Sequence, residues 1–130
     1  MADENKKLKI LVVEDEEGAR NAIVGILAKS GLDAVGAADC PEALAIFDGE
    51  GGFDLVLTDL TLPGPSGWDV SRAVKERAPD MPVVLMSGWD IDGKDEEITK
   101  SGISRVLTKP VAMKDLLSTI NELAVKGGGR

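Results

Sequence analysis

Histidine and tyrosine are both absent from this 130-residue sequence, and aromatic residues make up only 3% of it. Without histidine, the chain has no imidazole to act as a general base or to bind zinc. The single cysteine, Cys40, cannot form an internal disulfide, which favours a reducing compartment. No apolar run approaches the roughly 18 residues that a membrane-spanning helix needs, and the polar N-terminus is unlike a signal peptide. We therefore expect a cytoplasmic protein that has no contact with a membrane.

Positive charge is also scarce, with 15 lysine and arginine residues against 23 aspartate and glutamate residues, so the formal net charge is −8. Nucleic-acid backbones are bound by basic surfaces, so nucleic acid is not expected as a partner. The length and the 43% of hydrophobic residues are typical of one globular domain with a single core. We place that domain at 8–125, with 1–7 as a frayed N-terminus and the glycine-rich 126–130 as a flexible tail.

Short apolar runs alternate with helical patterns along the chain. Most of these runs are continuously apolar, which is typical of strands buried on both faces of a parallel sheet. The predicted strands are 8–13, 33–37, 53–58, 82–87 and 103–108. The alternation of strand and helix predicts a parallel α/β sheet with helices on both faces.

The intervening helices differ in the strength of their signals. Apolar residues at helical spacing predict a helix near 16–29 and a last helix through 116–124. Two others begin with the spacing of a capping box, at Asp39 and at Ser66. The segment 91–101 is mostly polar and predicts only a marginal helix, which would rearrange at low cost.

Polar residues follow four of the predicted strands at the point where each strand ends. In chain order these residues are Glu14 and Asp15, Asp59, Ser87 and Gly88, and Lys109. Any one of them alone would most often be a helix cap or a solvated loop residue. Because the carboxyl ends of parallel strands meet at one edge of the sheet and form its ligand crevice, we expect these residues to lie together.

Carboxylates that lie so close together require a cation, because like charges at short range raise one another's pKa and destabilise the fold. Oxygen ligands of this kind suit magnesium, which takes one or two carboxylates together with phosphate oxygens. Lys109 supplies a positive charge, and Ser87 with backbone N–H groups near Gly88 can bind phosphoryl oxygens. This set predicts phosphoryl transfer, with Asp59 as the best-placed nucleophile.

The stretches that carry these residues resemble the receiver domain of bacterial two-component response regulators. The matching stretches are 10–16, 54–67, 83–88 and 106–110, and the resemblance extends from about residue 8 to residue 123. It implies a single-domain, flavodoxin-like (βα)5 fold of the α/β class. This is a three-layer sandwich whose parallel sheet has the strand order 2-1-3-4-5.

The resemblance also implies roles for the site residues. Asp59 is implied as the phosphoacceptor, Glu14, Asp15, Asp59 and the carbonyl of Thr61 as Mg²⁺ ligands, and Ser87, Gly88 and Lys109 as phosphate-binding groups. The Lys109–Pro110 bond is implied to be cis, and the donor to be a histidine kinase or a phosphotransfer protein. Such a domain catalyses its own aspartyl phosphorylation and dephosphorylation without being a conventional turnover enzyme.

Two positions depart from the family pattern. Glu14 stands where aspartate is also common, and its longer side chain is expected to reach the metal through water. Val106 stands where the family has a switch tyrosine or phenylalanine, so the usual swing of a ring cannot occur. We expect Val106 and Trp89 to belong to the switch surface, although Trp89 alone would fit a partly exposed loop aromatic equally well.

The run 87–90 also resembles receivers attached to hybrid sensor kinases. The output is therefore expected to be binding to an effector protein or to attached kinase domains, with no DNA-binding output in this chain.

Three other functions can be compared with the sequence, and only the first of them stays open. Val106 leaves room for a receiver-shaped binding module that is never phosphorylated and binds no magnesium. A phosphatase of the haloacid dehalogenase type would carry its Asp-x-Asp after the first strand and a lid over its substrate, and neither fits this chain. A flavin-binding module lacks support, since there is no phosphate loop after the first strand and few aromatic residues to stack on the ring.

Overall fold

The computed structural model describes residues 7–88 and 93–128, with side chains described as far as Ala124. Strands and helices alternate throughout these residues. The strands are β1 (Lys9–Val13), β2 (Asp33–Ala37), β3 (Leu55–Asp59), β4 (Val83–Ser87) and β5 (Arg105–Thr108). The helices are α1 (Glu17–Lys29), α2 (Cys40–Glu50), α3 (Gly67–Arg77), α4 (Asp95–Ser101) and α5 (Met113–Gly128). No helix of the described residues is long and apolar enough to cross a bilayer.

The strands form one parallel sheet in the order β2-β1-β3-β4-β5. Every residue of β3 and β4 is buried, which explains why both strands are apolar up to their polar carboxyl ends. One apolar cluster packs α2 and α3 against one face of the sheet, around Leu11 and Val56. A second cluster packs α1 and α5 against the other face, around Ile10 and Leu57. The predicted three-layer fold and strand order are therefore confirmed.

The predicted strands differ from the observed ones mainly at their starts. β3 begins at Leu55 rather than at residue 53, because Phe53 is buried in the core without joining the sheet. β5 begins at Arg105 rather than at residue 103. There, the N–H of Ile103 donates to the carbonyl of Ile98 at 3.2 Å and closes the end of α4, with Gly102 left-handed at φ 81°.

The predicted helix starts agree with the structure. Asp39 Oδ1 accepts the N–H of Glu42 at 2.9 Å ahead of α2, and Asp69 Oδ2 accepts the N–H of Ser66 at 2.9 Å ahead of α3. The predicted marginal helix is the short α4, and residues 91–92 at the start of the predicted segment lie outside the described residues.

The predicted division of the chain into 1–7, 8–125 and 126–130 stays a prediction. α5 continues to Gly128, inside the segment expected to be a tail. Residues 1–6 and 129–130 lie outside the described part of the chain.

Candidate metal and phosphoryl site

Three carboxylates meet at the carboxyl edge of the sheet, as the sequence predicted. Glu14, Asp15 and Asp59 each offer an oxygen, and these oxygens all lie within 4.8 Å of one another. Glu14 and Asp59 are only 5% and 6% exposed, whereas Asp15 is exposed. Residues 7–88 and 93–128 contain no second cluster of this kind. These carboxylates fit magnesium, because their oxygens are the hard ligands that this ion prefers. The positive charge near them is also too small to balance three carboxylates.

Asp59 ends β3 and is held by two donors. Its Oδ1 forms an ion pair with Lys109 Nζ at 2.7 Å and accepts the backbone N–H of Leu60 at 3.1 Å. The Lys109 side chain is 42% exposed and that of Asp59 is 8% exposed. A buried carboxylate is thus paired with a cation that keeps contact with solvent.

Burial raises the pKa of Glu14 above its usual value. Its hydrogen bond with the Glu16 N–H, which donates to Oε2 at 3.0 Å, acts in the opposite direction. The Asp59 carboxylate raises the Glu14 pKa further, Lys109 lowers it, and Asp15 raises it slightly. The pocket therefore favours a proton or a cation beside Glu14.

Ser87 and Lys109 come from neighbouring strands and reach the same edge of the sheet. Ser87, which is 1% exposed, ends β4. The Lys109 N–H donates to the Ser87 carbonyl at 2.7 Å, so the two strand ends are tied together. The Lys109–Pro110 peptide is cis, which confirms the expectation drawn from the family resemblance.

The remaining predicted residues lie around this edge. Gly88 directly follows β4 and is partly buried, and Thr61 is exposed in the loop after β3. Val106 is partly buried in β5, where it pairs with Leu85 of β4. Trp89, predicted for the switch surface, lies outside the described residues.

Gly67 is a site residue that the sequence reasoning missed. Its N–H donates to the Leu60 carbonyl at 2.8 Å, at the point where α3 begins. A Cβ built on Gly67 would overlap the carbonyl oxygen of Asp59. Glycine thus lets the first turn of α3 pack directly under the backbone of the acidic residue. A glycine immediately after the N-cap Ser66 was the available signal, since capping positions usually precede residues with good helix propensity.

This fold, with its acids at the carboxyl edge and a lysine after β5, defines a receiver-type domain. The family model described as "Response regulator receiver domain" matches residues 10–121, and the chain belongs to that family. It is a receiver domain of two-component signalling.

The sensory transduction protein RegX3 of Mycobacterium tuberculosis is 36% identical over 119 residues, which cover 92% of this chain and 52% of RegX3. The sensor kinase CckA of Brucella abortus is 30% identical over 90% of this chain and 12% of the kinase. A response regulator receiver domain protein from Clostridium thermocellum superposes with a TM-score of 0.87 at 31% identity, covering 93% of this chain and 97% of that one. The chain thus spans about half the length of RegX3.

Proposed function

We propose that this domain accepts a phosphoryl group on Asp59 while Mg²⁺ is held by Glu14, Asp15, Asp59 and the carbonyl of Thr61. One observation carries the proposal. The buried Asp59 has one oxygen paired with Lys109 at 2.7 Å and two further carboxylates beside it. The proximity of these three carboxylates and one ammonium group supports the proposed roles of acceptor, metal ligands and counter-charge.

The proposed reaction is a displacement at phosphorus. An oxygen of Asp59 forms the new P–O bond as the P–N bond to a phosphohistidine breaks, and the departing imidazole takes up a proton from solvent. A carboxylate nucleophile needs no general base, which suits a chain without histidine. When bound, Mg²⁺ would offset the negative charge of the carboxylates and the phosphoryl oxygens.

The protein groups supply the remaining positive charge and hydrogen bonds. The ammonium group of Lys109 forms an ion pair with Asp59 and would move to a phosphoryl oxygen. The hydroxyl of Ser87 and the backbone N–H groups near Gly88 would bind the other oxygens. Phosphorylation would then favour the state in which Ser87 and Lys109 close around the new group, with a coupling free energy of about 1–3 kcal/mol.

The donor would be a histidine kinase or a phosphotransfer protein, because this chain has no histidine of its own. A groove of about 490 Å³ lies beside the acceptor, between α1 and α5. Its lining is mainly apolar and includes Ile23, Met86 and Met113, and the charged residues Glu14 and Lys109 also line it. An apolar helix of the donor protein could bind there and present its histidine to Asp59.

The output would be a binding event on the surface near α4, with Val106 and Trp89 as its proposed switch residues. Polar contacts join α4 to α3 there: Arg72 pairs with Glu97, and Ser71 Oγ donates to the Ser101 carbonyl at 2.7 Å. These contacts offer a route for the signal that does not need an aromatic side chain on β5. The effector, or the attached kinase domains, and the absence of a DNA-binding output stay predictions.

Incubation with acetyl phosphate and Mg²⁺, followed by intact-mass measurement, tests the proposal. We expect the wild-type chain to gain one phosphoryl group that alkaline hydroxylamine removes, and Asp59→Asn to gain none. Asp54→Asn is the matched control, because Asp54 lies just before the other end of the same strand and should not affect labelling. Equal labelling of Asp59→Asn, or no labelling of the wild type, would reject phosphorylation at this site. The second outcome would favour a receiver-shaped binding module.

A further inference from the structure

Arg20 of α1 turns its guanidinium back toward the loop that carries the acidic pair. Its Nη1 donates to the carbonyl oxygen of Glu14 at 2.9 Å and lies 3.5 Å from the carbonyl oxygen of Asp15. No ion pair among the described residues includes Arg20. Its donors are therefore directed at peptide carbonyls of the metal-site loop rather than at a carboxylate.

The side chain of Arg20 reaches this loop by passing over β2 at Gly36. A Cβ added to Gly36 would lie 3.1 Å from both Cγ and Cδ of Arg20, which is closer than ordinary van der Waals contact. A glycine inside a strand weakens the strand and often marks a close approach of another group. The approaching group here is the stem of Arg20, so Gly36 leaves the space that lets the guanidinium reach its carbonyls.

We infer that Arg20 is a positioning residue for the metal site, an inference that rests on the proposed function. The peptide group is planar, so a fixed direction for the Glu14 carbonyl also fixes the N–H and the N–Cα bond that lead into Asp15. The Glu14 N–H is held separately by the Ala37 carbonyl at 2.9 Å. Arg20 and β2 together thus hold both sides of the acidic residue, as supporting residues commonly do for metal ligands.

Arg20 could instead act through its charge alone, by offsetting the three carboxylates at a distance. The two roles make different demands on the side chain. Positioning needs the guanidinium to reach the carbonyls, so it depends on the space at Gly36 and on the geometry of the donors. A charge effect needs only a cation in the area and is weakened by salt.

The test is Mg²⁺ titration of the full chain by calorimetry, with Arg20→Met, Arg20→Lys, Gly36→Ala and Gly36→Val compared with the wild type. We expect Arg20→Met to bind Mg²⁺ about tenfold more weakly. Gly36→Val keeps every charge but occupies the space of the Arg20 stem, and we expect a similar loss. Gly36→Ala should lose less affinity and serves if the valine variant does not fold. Lys29→Met is the control, because it removes the same charge from the exposed end of the same helix.

A second measurement separates positioning from a general structural role. With acetyl phosphate as donor, we expect Arg20→Met to need more Mg²⁺ for half-maximal phosphorylation but to reach the wild-type rate at saturating Mg²⁺. Wild-type affinity in Arg20→Met would overturn the inference. The inference would also be overturned if Arg20→Lys and both Gly36 variants bound Mg²⁺ with the wild-type affinity. A positive charge alone would then be sufficient. If the wild type itself binds no Mg²⁺, the proposed function fails rather than the role of Arg20.

Discussion

The two ends of the sheet differ in how well their charged groups are paired. At the amino end, Lys9 has a local partner for each of its polar groups: its Nζ lies 3.0 Å from Glu50 and 2.9 Å from the Gly51 carbonyl, and its N–H donates to Asp54 at 2.8 Å. The ammonium also lies 4.6 Å from the centre of the Phe53 ring. At the carboxyl end, three carboxylates gather around one ammonium group, that of Lys109.

This difference separates groups that stabilise the fold from groups that await a ligand. An ion-paired charge contributes to the stability of the fold, whereas acids with too little positive charge nearby destabilise the fold and favour the binding of a cation. We therefore interpret the amino end as stabilising the fold and propose the carboxyl end as the binding site. Substitutions at the two ends should differ accordingly.

The largest effect is expected from Lys109→Met. Removal of the ammonium that contacts Asp59 takes away the charge meant for the phosphoryl oxygens, so the rate of phosphorylation by acetyl phosphate should fall by about 100-fold. Intact-mass time courses at saturating Mg²⁺ measure this rate. Lys9→Met removes a lysine from the opposite end and should leave the rate unchanged. A wild-type rate in Lys109→Met would mean that the lysines at the two ends of the sheet do not differ in their effect on phosphorylation.

Asp15→Asn should abolish the stabilisation of the fold by Mg²⁺. A ligand at about 100 times its Kd stabilises the folded state by about 2.7 kcal/mol, which urea unfolding with and without Mg²⁺ detects readily. Asp54→Asn should lose about 1 kcal/mol of unfolding free energy because its hydrogen bond with the Lys9 N–H is weakened. We expect Mg²⁺ to stabilise this variant as much as it stabilises the wild type. Stabilisation by Mg²⁺ that survives in Asp15→Asn would place the ion elsewhere.

Glu14→Gln should make the metal-free domain more stable at neutral pH. Because the folded protein raises the pKa of Glu14 above its ordinary 4.5, it binds a proton there more tightly than the unfolded chain does. The associated stability is present at pH below 4.5 and is lost as the pH rises through the raised folded value. In urea unfolding with EDTA, the variant should therefore have a larger free energy of unfolding than the wild type at pH 7. This difference should become smaller as the pH is lowered. A variant less stable than the wild type at pH 7 would contradict this sign.

The smallest effect is expected at the amino end, from Lys9→Met. Its partly exposed ion pair and its contact with Phe53 are together worth about 1 kcal/mol of unfolding free energy. Urea unfolding measures the loss, and calorimetry should give the wild-type Mg²⁺ affinity. A changed Mg²⁺ affinity would mean that the two ends are coupled through β1.

The sequence predicted the features that depend on strand order and burial. β3 and β4 are buried on both faces, so their apolar runs were unmistakable, and residues that follow such strands had to reach the same edge. Asp59 and Lys109 were therefore placed correctly although they are far apart in the chain.

The features that sequence reasoning missed depend on close approach between distant elements. The position of Gly67 under the Asp59 backbone results from how α3 packs against β3, and the passage of Arg20 over Gly36 results from how α1 packs against β2. Apart from the glycine that follows the N-cap Ser66, the spacing of residues along the chain gives no sign of these contacts. The early starts predicted for β3 and β5 have a related cause, because an apolar residue such as Phe53 can fill the core without pairing with a neighbouring strand.

Crystals grown with Mn²⁺ and beryllium fluoride, a phosphate mimic, would test the function of the carboxyl end most directly. We expect an anomalous scattering peak among the carboxylate oxygens of Glu14, Asp15 and Asp59, with the mimic attached to Asp59 and within reach of Lys109. An empty cluster in such crystals, or the mimic on another residue, would contradict the proposal that these acids bind a divalent ion for phosphorylation.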